Sequence, residues 1–302
     1  MEASPKRHSR PGRLFLACSV LVAAVIAVGG GSAIAIPSTT NAAAAQAAPV
    51  GFDVSFPQCD KNGTHYPSNA AFAIVGVNGG WAFVANHCLG RWHGQTGELA
   101  WANGVPGLPT QPRVSFYVIA GDPGPGANGW PGPSIRPQRC DGTWSWGCAY
   151  DYGYARSTDS LHLARLVASL ERLSHRPIAD PLDAPWWLDV ETDAHWAMDK
   201  TPGWMSLNIA ALAGFVDGLH AGGMRPDQIG FYSTGYQWRQ ITGLNASTSR
   251  AYFSLVHPDW VPGSKTLEQA RATCTPAKSF SGGHVTLAQF RSGDFDADYR
   301  CL

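Results

Sequence analysis

Short apolar segments alternate along this chain with longer segments of helical periodicity. The short segments either alternate in polarity, as half-buried strands do, or are continuously apolar, as buried parallel strands are. They lie at 51–56, 71–77, 114–120, 186–191, 229–233, 251–256 and 284–290. Between them, apolar residues recur every three or four positions at 157–175 and 206–223, with a shorter helix candidate at 97–105. This alternation predicts parallel βα units.

The two long helical segments carry start and stop signals. Ser157 and Thr158 are N-cap residue types at the start of the first segment, and a Gly-Gly pair after residue 221 ends the second. The first segment has one apolar stripe, of the kind that a surface helix turns towards the core. Its members are Leu163, Leu166, Val167, Leu170 and Leu173. The stretch 121–153 breaks the rhythm, because it is rich in Gly, Pro and Trp, and it predicts a long loop on one face of the domain.

The 302-residue chain has no internal repeat and no low-complexity linker after residue 50. The remaining length of about 250 residues is typical of a single α/β barrel domain. We therefore expect an α/β fold, specifically a single modified TIM-like βα barrel, over residues 49–302.

The N-terminal segment has the layout of a secretory signal peptide. Its basic residues precede an apolar run over 14–28, and small residues around 47–48 offer a cleavage site. Cys18 lies at the start of the apolar run and reads as an ordinary signal residue. We expect residues 1–48 to be removed and the protein to be secreted, with no stable membrane insertion afterwards; an uncleaved N-terminal anchor is the alternative.

The charge balance narrows the range of partners. The whole chain has 22 Lys and Arg and 22 Asp and Glu, and taking away the four basic and one acidic residues of 1–48 leaves 18 and 21. The mature chain is thus slightly acidic and has no basic patch, which argues against nucleic acid as a partner. We expect a monomer that uses no cofactor.

Six cysteines remain in the mature chain once Cys18 is set aside. An even number in an exported protein indicates three disulfides, although six cysteines permit fifteen connectivities. We expect neighbours to pair as Cys59–Cys88, Cys140–Cys148 and Cys274–Cys301. Metal binding is the weaker alternative, because no two of these cysteines have CxxC spacing.

The segment DAPWWLDVET at 183–192 carries two carboxylates on what reads as a buried strand. Side chains alternate faces along a strand. One face would hold Trp186, Leu188 and Val190. The other would hold Trp187, Asp189 and Glu191. Burying two carboxylates is costly unless they are paired or used. In a βα barrel the C-terminal strand ends form the active site, so Asp189 and Glu191 would face the barrel mouth, with Asp53 on the matching face of its own strand.

Five segments occur in order along the mature chain: GFDVSFPQ, AIVGVNGG, WWLDVET, GFYSTGYQW and LAQFRSGDFDADY. Together they resemble glycoside hydrolase family 25, a family of secreted lysozymes with a modified βα barrel. The family's first-strand pattern is matched by Gly51, Asp53, Val54, Ser55 and Gln58, and its central D-x-E by Asp189 and Glu191. Its tyrosine strand is matched by Tyr232, and its C-terminal Q-[YF] and D-x-N by Gln289, Phe290 and Asp296. Where the family has its last asparagine, this chain has Asp298.

The resemblance implies hydrolysis of a cell-wall glycan, with peptidoglycan as the leading substrate. Glycoside hydrolysis needs a carboxylic acid that protonates the departing oxygen and a carboxylate that assists it, and crowded like charges keep one proton at neutral pH. Glu191 would be the general acid, and Asp189 would stabilise charge or orient the 2-acetamido group. Asp53 and Asp296 would tune the cluster or position water. Substrate-binding roles would fall to Trp187, Tyr232, Ser55, Gln58, Gln289 and Asp298.

Other interpretations stay open from the sequence. The carboxylates could form a structural network in a barrel that binds cell-wall polysaccharide without cutting it. A barrel phosphodiesterase would need histidines or metal ligands at the strand ends, and the identifiable strand ends have none. The sequence has neither an HExxH nor a GxSxG pattern, and we expect no metal. The loop tryptophans Trp130, Trp144 and Trp146 either stack on sugars or form a disulfide-stapled miniature core.

Overall fold

Eight β-strands close into one barrel in the computed structural model, which describes residues 50–54, 58–59, 65–174, 176–198, 201–253 and 257–301. The strands are β1 (Val50–Val54), β2 (Ala73–Gly76), β3 (Val114–Ile119), β4 (Trp186–Asp189), β5 (Ile229–Tyr232), β6 (Asp259–Ser264), β7 (Val285–Ser292) and β8 (Phe295–Arg300). Each strand pairs with the next along the chain, and β8 returns to pair with β1. The predicted α/β barrel class is confirmed.

The barrel is parallel except at its last strand. Strands β1 to β7 pair in parallel, whereas β8 is antiparallel to both β7 and β1. A two-residue turn at Gly293 and Asp294 joins β7 to β8 without a helix. In the β1–β8 register, Asp53 lies opposite Asp296 and Gly51 opposite Asp298, so the barrel closes through a seam rich in aspartate.

Six α-helices connect the strands within the described residues. They are α1 (Glu98–Asn103), α2 (Trp146–Leu173), α3 (Trp204–Ala221), α4 (Gly235–Thr242), α5 (Ala246–Tyr252) and α6 (Leu267–Thr273). Helix α2 begins at Trp146 because the Ser145 side chain accepts a hydrogen bond from the backbone N–H of Cys148. The predicted loop over 121–153 is therefore too long, since residues 146–153 form the first two turns of a helix.

Small residues let α2 and α3 pack with their backbones in close approach. A Cβ at Gly153 would overlap the carbonyl oxygen of Ala211, and one at Gly214 would overlap that of Tyr150. Only hydrogen fits at these positions, which explains glycines inside two helices despite their propensity cost of about 1 kcal/mol each.

The leucine stripe predicted to face the core from α2 lies instead largely towards solvent. The exposed fractions of Leu166, Leu170 and Leu173 are 50%, 56% and 77%. The buried face of the helix carries Ala164 and Ala168 together with larger residues such as Tyr152 and Leu161.

Two of the strand predictions were incomplete. Residues 251–252 belong to helix α5, whose Asn245 cap accepts from two backbone N–H groups, and 254–256 lie outside the described residues. The sixth strand runs instead over 259–264. Pro258, Pro262 and Gly263 are residue types that are depleted in strands, so the sequence pattern did not predict a strand there. The eighth strand, 295–300, was not predicted, because its three charged residues and short length hide the apolar alternation of a strand.

The barrel interior and its outer surface separate as the alternation at 186–191 predicts. Trp186, Leu188 and Val190 are buried in the cluster shared with the helices. Trp187 packs inside the barrel with an aromatic and aliphatic cluster whose other members are Phe72, Ile74, Tyr117, Tyr232, Trp260 and Leu287. This cluster fills the barrel below its C-terminal mouth, as side-chain layers do in such folds.

Three disulfides join Cys59 to Cys88, Cys140 to Cys148 and Cys274 to Cys301, the pairs expected from neighbour order. The first ties the segment after β1 to the segment after β2. The third fastens the end of β8 to the end of α6, so the closing strand is covalently anchored.

The described part of the chain has no helix of the length and apolarity that a bilayer crossing requires. The predicted signal segment 1–48, with Cys18, lies outside the described residues. Ser55 also lies outside them.

Candidate active site

A cavity of about 190 Å³ opens at the C-terminal mouth of the barrel. Its lining comes from seven strands and from Glu191, which follows β4, and it is dominated by carboxylic acids and aromatic rings. The lining residues are Asp53, Tyr117, Asp189, Glu191, Tyr232, Trp260, Gln289 and Asp296. None of these eight is basic, and Asp296 is paired with the exposed guanidinium of Arg291 at 3.2 Å.

Hydrogen bonds across the barrel fix one wall of this cavity. Gln289 of β7 donates from Nε2 to Oδ2 of Asp53 at 3.0 Å and accepts from the Tyr232 hydroxyl at 3.0 Å. The Tyr232 ring contacts Trp260 edge-on, with 4.5 Å between centroids. Because Gln289 is held at both ends of its amide, the orientation of the Asp53 carboxyl group is fixed.

Asp53 and Asp298 form a pair of buried carboxyl groups at the β1–β8 seam. Asp298 is fully buried and accepts a hydrogen bond from Trp260 Nε1 at 2.8 Å. Burial raises the pKa of Asp53 to about 7, with a smaller contribution from the charge of Asp296. The pKa of Asp298 is raised well above its ordinary value, first by burial and then by the charge of Asp53. Both carboxyl groups therefore bind a proton more tightly than exposed aspartates do.

Asp189 and Glu191 occupy the opposite wall of the cavity. Burial raises the pKa of Asp189 well above its usual range, and the charges of Glu191 and Asp193 raise it further. Within the described residues its Oδ1 atom is buried and has no hydrogen-bond partner. The pKa of Glu191 is also raised, by burial and by the charge of Asp193, while a 3.4 Å hydrogen bond from Gln237 Nε2 acts against that shift. The wall therefore combines two carboxyl groups whose pKa values are raised with an acceptor atom that lacks a donor.

The structure brings six of the predicted site residues together around the cavity and places three others away from it. Those that line it are Asp53, Asp189, Glu191, Tyr232, Gln289 and Asp296. Trp187 is buried below, against Trp260, and lines a separate cavity at the other mouth of the barrel. Asp298 lies beneath the cavity, and Gln58 donates its backbone N–H to Glu98 Oε1 at 3.2 Å.

Sequence reasoning missed three residues of the site. Tyr117 is the inward-facing member of a correctly predicted strand, and alternation along β3 was a signal that could have found it. Trp260 was missed because the sixth strand was placed too early. Gln237 approaches Glu191 from the first turn of α4, and no sequence signal identifies it.

Two of the three loop tryptophans belong to a miniature core. Trp130 stacks on Tyr152 at 5.6 Å between centroids and meets Trp144 edge-on at 6.5 Å. Trp144 donates from Nε1 to both carboxyl oxygens of Asp122 at 3.1 Å. Trp146, by contrast, is 48% exposed, so the sugar-stacking interpretation remains only for this member of the set.

One group of side chains in the described residues has atoms close enough together to hold a metal ion: Cys59, His87 and Cys88. Its two cysteines are joined in a disulfide, which removes the thiolates that would ligate. This group lies outside the carboxyl-lined cavity.

No protein-family model and no curated protein matches this chain. Among solved structures, it is similar to the catalytic domain of the endolysin Ply40 from bacteriophage P40 of Listeria monocytogenes, at 11% identity and a TM-score of 0.38, over 84% of this chain and 94% of that one. It is also similar to the modular autolysin LytC from Streptococcus pneumoniae, at 12% identity and a TM-score of 0.39, over 83% of this chain and 46% of LytC. These values are too low to assign the chain to a family.

Proposed function

We propose that this protein is a secreted glycoside hydrolase that cleaves a cell-wall glycan, with peptidoglycan as the leading substrate. The observation that carries the proposal is that three carboxyl groups with raised pKa values, those of Asp53, Asp189 and Glu191, line one open cavity at the C-terminal mouth of the barrel. Active sites of such barrels lie at this mouth, and perturbed carboxyl groups in a cleft favour a catalytic role. The ordered motifs that resemble family 25 lysozymes supply the substrate class.

Glu191 is the general acid in this proposal. It lies at the mouth, is only partly buried, and has a raised pKa, so it can reach a substrate with its proton in place. It protonates the glycosidic oxygen as the bond to the anomeric carbon breaks, and water then supplies a hydroxyl to that carbon and a proton to the acid.

Asp189 stabilises the positive charge that develops on the sugar or orients its 2-acetamido group. Positive charge nearby favours the ionised form of a carboxyl group, so the buried Asp189 interacts more strongly with the transition state than with the neutral substrate. Asp53 and Asp296 tune the cluster or position the water, and Tyr232 and Gln289 bind substrate at the wall they share. Gln58, Trp187 and Asp298 do not line the cavity, so no direct substrate contact is proposed for them, and the substrate contact of Ser55, outside the described residues, stays a prediction.

The proposal keeps the domain organisation that the sequence predicts. Residues 1–48 act as an export signal, residues 49–302 form the hydrolase domain, and the mature protein is a monomer. Disulfides are consistent with an oxidising compartment outside the cytoplasm.

Release of soluble sugar from purified cell walls tests the proposal directly. Replacing Glu191 with Gln should lower the rate by about 10²- to 10⁴-fold, because general acid catalysis contributes that much. The matched control is Glu268→Gln, since Glu268 is exposed on α6, and this variant should keep the wild-type rate.

New reducing ends at N-acetylmuramic acid would identify the bond as that cut by a muramidase. A Glu191→Gln variant with near-normal release would refute Glu191 as the acid. No release by the wild-type protein, with cell-wall binding that survives the substitution, would refute the hydrolase and favour a polysaccharide-binding barrel.

A further inference from the structure

An aromatic pair lies on the loops beside the carboxyl-lined cavity. The indole of Trp81, on the loop after β2, stacks on the imidazole of His195, on the loop after β4, with 3.6 Å between centroids and 27° between planes. Trp81 is nevertheless 39% exposed, and His195 is exposed as well. We call this pair the Trp81–His195 shelf. The Trp81 ring also meets Phe83 in a tilted contact, with 5.6 Å between centroids, and the part of the pair that these contacts leave open faces solvent.

The backbone on both sides of the shelf is held by hydrogen bonds to the end of β3. The Asn78 side chain donates to the Ile119 carbonyl at 3.1 Å and accepts from the Ile119 N–H at 2.9 Å. The His195 carbonyl accepts from the Asp122 N–H at 2.7 Å. A rigid aromatic surface binds with less loss of conformational entropy than a mobile one, so these bonds suit the shelf to ligand binding.

The shelf is continuous with the cavity along one face of β3. Tyr117 lines the cavity, and Ile119, two residues further along the same face, lines the small hollow under Trp81 and His195. Two strand residues span about 6.6 Å, comparable with the length of one pyranose ring. The loop that carries His195 begins at Glu191, whose carbonyl accepts from the Ala194 N–H and from the Trp196 indole.

We propose that the Trp81–His195 shelf is a sugar-binding subsite that holds the glycan strand next to the unit being cleaved, an inference that rests on the proposed function. The apolar C–H face of a hexosamine ring packs on the exposed surface of an aromatic ring, as amphipathic ligands do on Trp. The subsite selects long β-1,4-linked N-acetylhexosamine strands over short ones, and the protein consequently cuts within strands.

Binding of defined oligosaccharides tests the shelf separately from catalysis. The probes are the hexamer and the dimer of β-1,4-linked N-acetylglucosamine, titrated calorimetrically into the Glu191→Gln protein with and without Trp81→Ala. We expect Trp81→Ala to weaken hexamer binding about tenfold, the equivalent of about 1.4 kcal/mol, and to leave dimer binding unchanged. Trp81→Tyr keeps an aromatic surface and should restore most of the hexamer affinity.

The matched control is Trp92→Ala. Trp92 is 38% exposed on the same connection between β2 and α1, but it does not line the hollow at Trp81 and His195, and its neighbour Arg91 donates its backbone N–H to Glu171 near the end of α2. This variant should bind both probes as the parent does.

Equal hexamer affinity with and without the Trp81 indole would overturn the subsite, even if cell walls are hydrolysed normally. Absence of hexamer binding to the parent protein would also overturn it. Trp81-dependent hexamer binding in a protein whose wild-type form releases no sugar would uphold the shelf and overturn the hydrolase, so the two proposals fail separately.

Discussion

Replacing Asp122 with Asn should make the protein less sensitive to alkaline pH. Asp122 is fully buried after β3, where its two carboxyl oxygens accept from the Trp144 indole at 3.1 Å. Burial raises its pKa from 3.8 to about 7, and the indole hydrogen bond opposes that shift. Tyr152, its titratable neighbour, has a pKa raised by burial and stays neutral in the range tested.

The magnitude follows from the difference between the folded and unfolded pKa values. An acid whose pKa is raised by folding stabilises the protein fully below the unfolded pKa, near 3.8, and this contribution is lost as pH rises through the folded value, near 7. At 1.36 kcal/mol per pKa unit, this group alone should lower the free energy of unfolding by roughly 2.5 kcal/mol between pH 5 and pH 8. Asparagine keeps an oxygen acceptor for the indole and cannot ionise.

Urea-induced unfolding at pH 5 and pH 8 measures this difference. The wild-type protein should lose roughly 2.5 kcal/mol more than Asp122→Asn over this interval, because the other buried acids titrate in both proteins and cancel. Asp159→Asn serves as the control, since Asp159 on α2 has a side chain 67% exposed and its curves should follow the wild type. If the free energy of unfolding falls equally for the wild type and Asp122→Asn between pH 5 and pH 8, burial does not raise the pKa of Asp122, and the reasoning is refuted.

Three further variants test the closing strand of the barrel. Replacing both Cys274 and Cys301 by serine opens a loop of 27 residues. Because the unfolded chain is then less constrained, the free energy of unfolding should fall by about 3.5 kcal/mol, which a urea titration followed by Trp fluorescence measures. Asp298→Asn should keep the acceptor for the Trp260 indole while it removes a buried acid, so its free energy of unfolding should fall less than that of the wild type between pH 5 and pH 9. Asp298→Ala leaves the indole N–H without that acceptor and should lower the free energy of unfolding by about 1–3 kcal/mol at both pH values.

The sequence predicted the barrel where strand patterns are local and failed where tertiary packing overrides them. The continuous apolar run of β2 and the alternation of β4 are signals that any buried strand would carry. The leucines of α2 form an equally clear stripe, yet the helix buries a different face, on which the backbone of α3 leaves no space for a side chain at Gly153. Periodicity identifies a helix with one apolar face but does not say how near its neighbour will pack.

The site was predictable to the extent that it lies on strands with a readable register. Asp189 and Asp53 follow from alternation, and both line the cavity. Trp187 lies on the same strand face as Asp189, but it is two residues further from the mouth and packs in the barrel interior. Alternation predicts which face a side chain occupies and does not predict how far below the mouth it lies. Trp260 comes from a strand with proline and glycine in it, and Gln237 from a helix, so neither position follows from the pattern of the strands.

The hydrogen bonds that the buried carboxyl groups accept distinguish acids that stabilise the fold from candidates for catalysis. Glu98 accepts from an asparagine amide and a backbone N–H, and Asp259 from a serine hydroxyl and two backbone N–H groups. Asp122 accepts from an indole on both oxygens. These acids have their donors within the fold, as buried polar groups require. Three other buried acids have an oxygen without a donor in the described part of the chain, namely Glu171, Asp189 and Asp298, and of these only Asp189 lines the open cavity. A missing donor in that place is what a ligand would supply, and this argues that the carboxyl groups at the mouth are there for chemistry rather than for stability.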